Sequence, residues 1–166
     1  KRFLMLPNLV SLDVSDNEIL DISDLSKFNG LKELSLANNS IHDLMPINNL
    51  KGNIKLNISG IKLDEDILRL LSIMQFEELY VANCDLSSLD FLAGHKEIKR
   101  LDISNNSISD IGILKMYRKE LIYLNIAWNP IEDLSPLVEW VPCTLLNDEK
   151  NAEFPGVEFD MSGIQL

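Results

Sequence analysis

The stretch that decides the fold is Leu101–Leu114, "LDISNNSISDIGIL". Its apolar residues Leu101, Ile103, Ile108, Ile111 and Leu114 fall at intervals of two, five and then three. That spacing fits neither the 3.6-residue period of a helix nor the sustained alternation of a strand. Leu101 and Ile103 alone alternate, which puts both side chains on one face of a short strand. Asn106 then stands where the pattern would otherwise want an apolar side chain.

Laid against itself, the chain repeats this pattern. Seven segments align, beginning at Leu9, Leu31, Asn53, Phe76, Ile98, Leu121 and Cys143, with starts 22 or 23 residues apart. The first, second and sixth cores read "LVSLDVSDNEI", "LKELSLANNSI" and "LIYLNIAWNPI", and the seventh reads "CTLLNDEKNAE". A fixed period of this length marks a stack of supersecondary units, none of which can bury its apolar face alone. Strands from successive units then lie about 4.8 Å apart in a parallel sheet. Ile108, Ile111 and Leu114 bring a turn or short 3₁₀ segment back over the core.

Asn106 recurs as Asn17, Asn39, Asn129 and Asn151, with Cys84 in the same place in the fourth unit. An inward amide carries donors and an acceptor, so a ladder of them can satisfy the backbone groups that lose sheet partners at the bend. Asp21, Asp43, Asp110 and Asp133 also recur, as acceptors for backbone N–H groups at the next turn. The third unit departs from the pattern after Gly60 and Ile61. Ile67, Leu70, Leu71 and Met74 follow Asp64 at helical spacing, which predicts a short convex α-helix capped by Asp64.

These cores resemble the leucine-rich repeat, L-x-x-L-x-L-x-x-N-x-L. The second halves, such as "PIEDLSPL" at 130–137, resemble the short 22-residue type of phosphatase-regulator (SDS22-like) proteins and internalins. The resemblance implies an α/β solenoid of about seven repeats, an arc with a parallel concave β-sheet and a 3₁₀, short-helical or irregular convex side. It implies a protein-binding scaffold and no cofactor. Residues 1–151 are expected to hold the repeats, starting in mid-repeat because "FLMLPNL" looks like the back half of an earlier unit. Residues 152–166, with Val157, Phe159 and Met161 alternating, are expected to form a C-terminal cap or the start of a following segment.

Composition narrows the function classes. Fifteen basic residues against 26 acidic ones give a net charge of −11, the wrong sign for a phosphate backbone. No run approaches the roughly 20 apolar residues of a membrane span. Cys84 and Cys143 are the only cysteines, too few for a disulfide framework. His42 and His95 lie about two units apart, and neither has a nucleophile with reason to be beside it. Asp13, Asp16, Asp64, Glu65 and Asp66 lack the spacing of a calcium loop, and the seven glycines do not cluster into a phosphate loop. No catalytic, metal or cofactor site is expected. The sequons at Asn38, Asn57 and Asn105 fall out of the repeat consensus itself.

Function is therefore expected on the residues the repeat leaves free. Between the inward leucines, one outward column reads Ser11, Glu33, Lys55, Glu78, Arg100, Tyr123, Leu145. A second reads Asp13, Ser35, Asn57, Tyr80, Asp102, Asn125, Asn147, and a third, from Ser15 to Ala127, is uniformly small. Tyr80, Arg100, Asp102, Tyr123, Asn125 and Trp128 form the candidate contact patch, because Tyr, Trp and Arg dominate interface energetics. Asp13, Asp16, Glu33 and Glu78 are expected to ring it with negative charge, which suits a basic protein or peptide. A spacer role in a larger protein, or substrate recognition for a catalytic domain elsewhere, are the alternatives. The few cysteines and the richness in Lys, Asn and Ile favour a bacterial surface or secreted setting over an intracellular one.

Overall fold

The computed structural model describes residues 8–138 and 158–164. Seven short strands form one parallel sheet in chain order: β1 (Ser11–Asp13), β2 (Glu33–Ser35), β3 (Asn53–Asn57), β4 (Gln75–Tyr80), β5 (Arg100–Asp102), β6 (Tyr123–Asn125) and β7 (Glu158–Asp160). Each unit contributes one strand and pairs with the next in register. Leu12 lies beside Leu34, Leu34 beside Leu56, Leu79 beside Leu101, and Leu101 beside Leu124. A single irregularity between Ile54 and Lys55 lets β3 meet the longer β4.

The apolar spacing builds the core layer by layer. Leu101, Ile103, Ile108 and Leu114 are fully buried and Ile111 nearly so, and their counterparts in the neighbouring units stack on them. Each such side chain contributes roughly 1.5–3 kcal/mol by leaving water, and the surface that covers it belongs to the adjoining repeats.

On the convex side the chain returns through 3₁₀ turns at Ser23–Lys27, Met45–Ile47, Asp90–Gly94 and Gly112–Tyr117. The recurring aspartates set these turns. Asp21, Asp43, Asp110 and Asp133 accept hydrogen bonds from the N–H groups of Ser23, Met45, Gly112 and Ser135 at 2.7–2.8 Å. Ser88 does the same for Asp90 in the fourth unit. The predicted helix is present as α1 (Glu65–Ile73), where Asp64 Oδ1 accepts from Ile67 N–H at 2.9 Å and Ile67, Leu70 and Leu71 face the core. A one-turn helix, α2 (Ser135–Val138), follows the sixth unit.

The asparagine ladder joins each unit to the one before it. Asn106 donates to Val81 O of the fourth unit and to Ile103 O and Ser104 O of its own, while its Oδ1 accepts from Cys84 N–H and Leu86 N–H. Asn39 and Asn129 bond the same way, accepting from Ile19 N–H and Ile108 N–H respectively. Among the described residues, Asn17 bonds to Val14 O and Ser15 O of its own unit. Cys84 can donate, to Ile58 O and Ala82 O, but its thiol offers little as an acceptor. Leu63 N–H turns instead to the Cys84 carbonyl at a longer 3.3 Å.

The last strand corrects the expected seventh unit. The unit at Cys143 would have put Leu145 and Asn147 beside β6, yet Tyr123, Leu124 and Asn125 pair with Glu158, Phe159 and Asp160. The sequence holds the reason. "CTLLNDEKNAE" places Asp148 at the inward position that Ile103 and Ile126 fill elsewhere, and a carboxylate buried there without a partner is costly. "EFDMSGI" at 158–164 instead has apolar Phe159 and Met161 at the sequence positions that Leu124 and Ile126 hold in the sixth unit, with Gly163 at the bend. Asn151 lies outside the described residues.

Because Asn106 satisfies groups on two units, Asn106→Ala strands several buried polar atoms at once. We expect it to lower stability by about 2–4 kcal/mol. Ser109→Ala, at an exposed position nearby, should cost well under half of that, and urea denaturation of the two variants makes the comparison.

Candidate functional site

The strand register turns the outward residues into true columns. Glu33, Lys55, Glu78, Arg100 and Tyr123 are successive partners, as are Ser35, Asn57, Tyr80, Asp102 and Asn125. Glu158 and Asp160 continue the two columns where Leu145 and Asn147 were expected.

The second column has a structural duty that the sequence did not reveal. At the end of each strand one N–H group has no partner in the next strand, and the column residue bends back to accept it. Asp13, Asn57, Asp102, Asn125 and Asp160 accept from the N–H of Ser15, Ser59, Ser104, Ala127 and Ser162 at 2.9–3.1 Å. Asp102 is engaged through both oxygens, since Oδ1 also takes the Ser104 hydroxyl and Oδ2 accepts from Asn125 Nδ2 at 3.1 Å. Asp102 and Asn125 therefore build the strand end before they can contact anything else. The serine bonds hold the Asp13 and Asp160 carboxyls below their ordinary range.

Tyr80 departs from this rule, since a phenol cannot cap the strand end. The stranded Ala82 N–H is taken by Ser59 Oγ of the preceding unit at 3.2 Å. Freed from capping, the Tyr80 hydroxyl donates to Glu78 Oε2 at 2.8 Å and accepts from Arg100 Nε at 3.3 Å. The Arg100 guanidinium lies 4.5 Å from the centre of the Tyr123 ring, a cation–π geometry. Tyr80, Arg100 and Tyr123 thus form one half-buried cluster across β4, β5 and β6. Partial burial raises both phenols above their usual pKa, so they are neutral donors at physiological pH.

The expected negative ring is weaker than its residue count suggests. Lys55 lies 3.1 Å from Glu78 and 3.5 Å from Glu33, and the Glu78 bond raises its own pKa. The first column is self-neutralising through its centre, and Asp16 accepts from Asn38 Nδ2 at the bend.

Trp128 stands apart from the tyrosines. Asp16, Asn38, Asn83, Asn105 and Trp128 all have φ between 53° and 58°, and Gly60 and Gly163 complete the same column at 77° and 73°. This is the left-handed bend after each strand, which Gly, Asn and Asp adopt most readily. Trp128 is therefore at the rim of the sheet and not on its concave floor, where it was expected. It is 65% exposed, and its indole lies against Gly163, where a Cβ would come within 2.5 Å of Cε3.

No group of three His, Cys, Asp or Glu among the described residues could hold a metal ion. Burial pushes the Cys84 thiol up to about 11, which suppresses the thiolate a nucleophile needs.

A leucine-rich repeat family model matches residues 6–23 and 97–116. With the parallel one-strand-per-unit sheet and the asparagine ladder, that match decides the fold family. The chain is a leucine-rich repeat protein. Among solved structures it is similar to an internalin (inlF) from Listeria monocytogenes, with 30% identity and a TM-score of 0.65 over 81% of this chain and 39% of that one. Internalin C2 of the same organism matches at 28% identity and a TM-score of 0.67, over 79% and 57% of the two chains. A leucine-rich repeat protein of Leptospira interrogans shares the fold at 24% identity and a TM-score of 0.66, over 96% and 38%. The chain spans less than two thirds of each of these structures. A search of curated proteins returns no significant sequence match.

Within the leucine-rich repeat frame, Trp128 replaces a residue type the bend prefers, at a backbone cost of about 1–2 kcal/mol, and stacks on a glycine that leaves it room. Gly163→Ala should therefore destabilise the wild-type protein more than a Trp128→Asn background. A thermal-melt double-mutant cycle that shows equal losses would exclude the stacking contact.

Proposed function

We propose that this leucine-rich repeat protein is a non-catalytic interaction module that binds a protein or peptide on its concave face through Tyr80, Arg100 and Tyr123. Leucine-rich repeat proteins are typically protein-interaction modules, and their solenoids offer extended concave surfaces. Tyr80 carries the assignment. In a column whose other members chiefly cap strand ends, it gives up that bond, and Glu78 of its own strand and Arg100 of the next hold its hydroxyl in place. A rigid aromatic anchor beside an arginine suits an interface centre. Asp102 and Asn125 flank it as already ordered acceptors, and Trp128 offers a separate aromatic surface at the rim.

Partner choice on this face rests on shape and aromatic contact more than on local charge, because Lys55 offsets Glu33 and Glu78. The net charge of −11 still favours a basic partner, by raising the association rate. The internalin likeness supports a bacterial surface or secreted setting.

Two substitutions separate binding from folding. Tyr80→Asn installs the side chain that β3 carries in this column, and because Ser59 already takes the Ala82 N–H, the variant should fold with a loss of no more than about 1–2 kcal/mol from the hydroxyl bonds given up. Affinity for the identified partner, measured by calorimetry, should fall at least tenfold, and further when Tyr123→Ala is added. Unchanged affinity in the folded double variant would remove the concave cluster from the interface.

A further inference from the structure

His95 is a buried titratable group that the concave site does not use. Its side chain is 2% exposed and lies between α1 and the Asp90–Gly94 turn, stacked on Phe76 with ring centres 5.2 Å apart and edge-on to Phe91 at 6.5 Å. Nε2 is 3.0 Å from Leu71 O, near the end of α1, and Nδ1 is 3.2 Å from Leu92 O. The ring therefore pins the convex helix of the third unit to the turn of the fourth.

We propose that His95 is an acid-labile pin, which holds the joint between the third and fourth units while its ring is neutral and loosens it when the ring takes a second proton. The neutral ring has one N–H to place, and Nε2–H donates it to Leu71 O. A second N–H, on Nδ1, would have to use Leu92 O. That carbonyl already accepts from His95 N–H at 3.0 Å and from the Tyr117 hydroxyl, which occupies both of its lone pairs. The imidazolium would thus sit in an aromatic pocket, its second N–H sharing a carbonyl that already accepts two bonds, with no counter-ion among the described residues.

The charged groups on the packed elements do not supply one. Glu65, Asp66 and Arg69 of α1 pair with each other on its exposed face, and Glu77 of β4 pairs with Lys99. Asp90, Lys96, Glu97, Lys115 and Arg118 are solvent-exposed. Tyr117, pushed by burial to about 12, stays protonated throughout the relevant range.

Burial lowers the His95 pKa below the ordinary 6.5, against smaller opposing effects from the Leu92, Leu71 and Phe91 backbone. A lowered folded-state value means that the unfolded chain binds more protons, so the joint is at full strength above 6.5 and weakens as pH falls through the folded value. In a solenoid, each unit is held by its nearest neighbours, so one weakened joint in the middle loosens both sides of it.

The test is the pH dependence of amide exchange in the whole chain, corrected for intrinsic rates, together with an NMR titration of the His95 ring. Between pH 7.5 and 5.5, exchange of the α1 and Asp90–Gly94 amides should rise in the wild type, by up to about tenfold, and stay level in His95→Gln, or in His95→Phe if the glutamine variant does not fold. The His95 titration midpoint should lie below 6.5. An equal rise in the folded variant, or a midpoint at or above 6.5 in the wild type, would overturn the proposal.

Discussion

Everything in this structure answers one constraint: where a parallel strand ends and the chain turns, its backbone N–H and C=O groups must still find partners away from water. The solenoid meets that need at three points in most units. An inward asparagine, as at Asn106, bonds its own unit and the one before it. An outward Asp or Asn, as at Asp102, caps the strand's last N–H. A residue in the left-handed region, as at Asn105, lets the chain leave the sheet. Apolar burial supplies most of the driving force, but these bonds set the register in which it is realised.

Function is read from the places where a unit answers the constraint with an unusual residue. Cys84 keeps the donor half of the ladder and lets a backbone carbonyl take over the acceptor half. That exchange occurs next to the unit whose convex side became α1, and it creates no reactive group. Tyr80 sheds its capping bond to Ser59 of the preceding strand and gains contacts to Glu78 and Arg100. Trp128 accepts a backbone conformation unsuited to its bulk and rests on Gly163. The half-buried tyrosine and the exposed tryptophan put aromatic surface where the other units carry small or polar residues.

Most of the frame was legible in the sequence. The 22-residue period predicts one strand per unit, and the order of Leu101, Ile103, Ile108, Ile111 and Leu114 predicts which side chains are buried. Asp64 followed by apolar residues at helical spacing predicts α1. The seventh strand was misplaced because the period was extended through Cys143, although Asp148 at an inward position argued against it. The capping duty of Asp102 and Asn125 was invisible, since a bond to a backbone N–H two residues on depends on where the strand ends. Trp128 was assigned to the concave floor by counting outward positions. The signal that would have corrected this was present: Asp16, Asn38, Gly60, Asn83 and Asn105 are all types that tolerate positive φ. The pairing of Lys55 with Glu33 and Glu78 follows from neighbouring strands and cannot be seen in any single unit.

The central claim is that the outward face of β4 to β6 is the recognition surface of this leucine-rich repeat protein. Cross-saturation NMR with the bound partner measures it directly, by reporting which residues the partner covers. The account predicts saturation centred on Tyr80, Arg100 and Tyr123 and fading toward Ser11 and the convex turns. Saturation confined to α1 and the 3₁₀ turns, with the three concave residues unaffected, would contradict it.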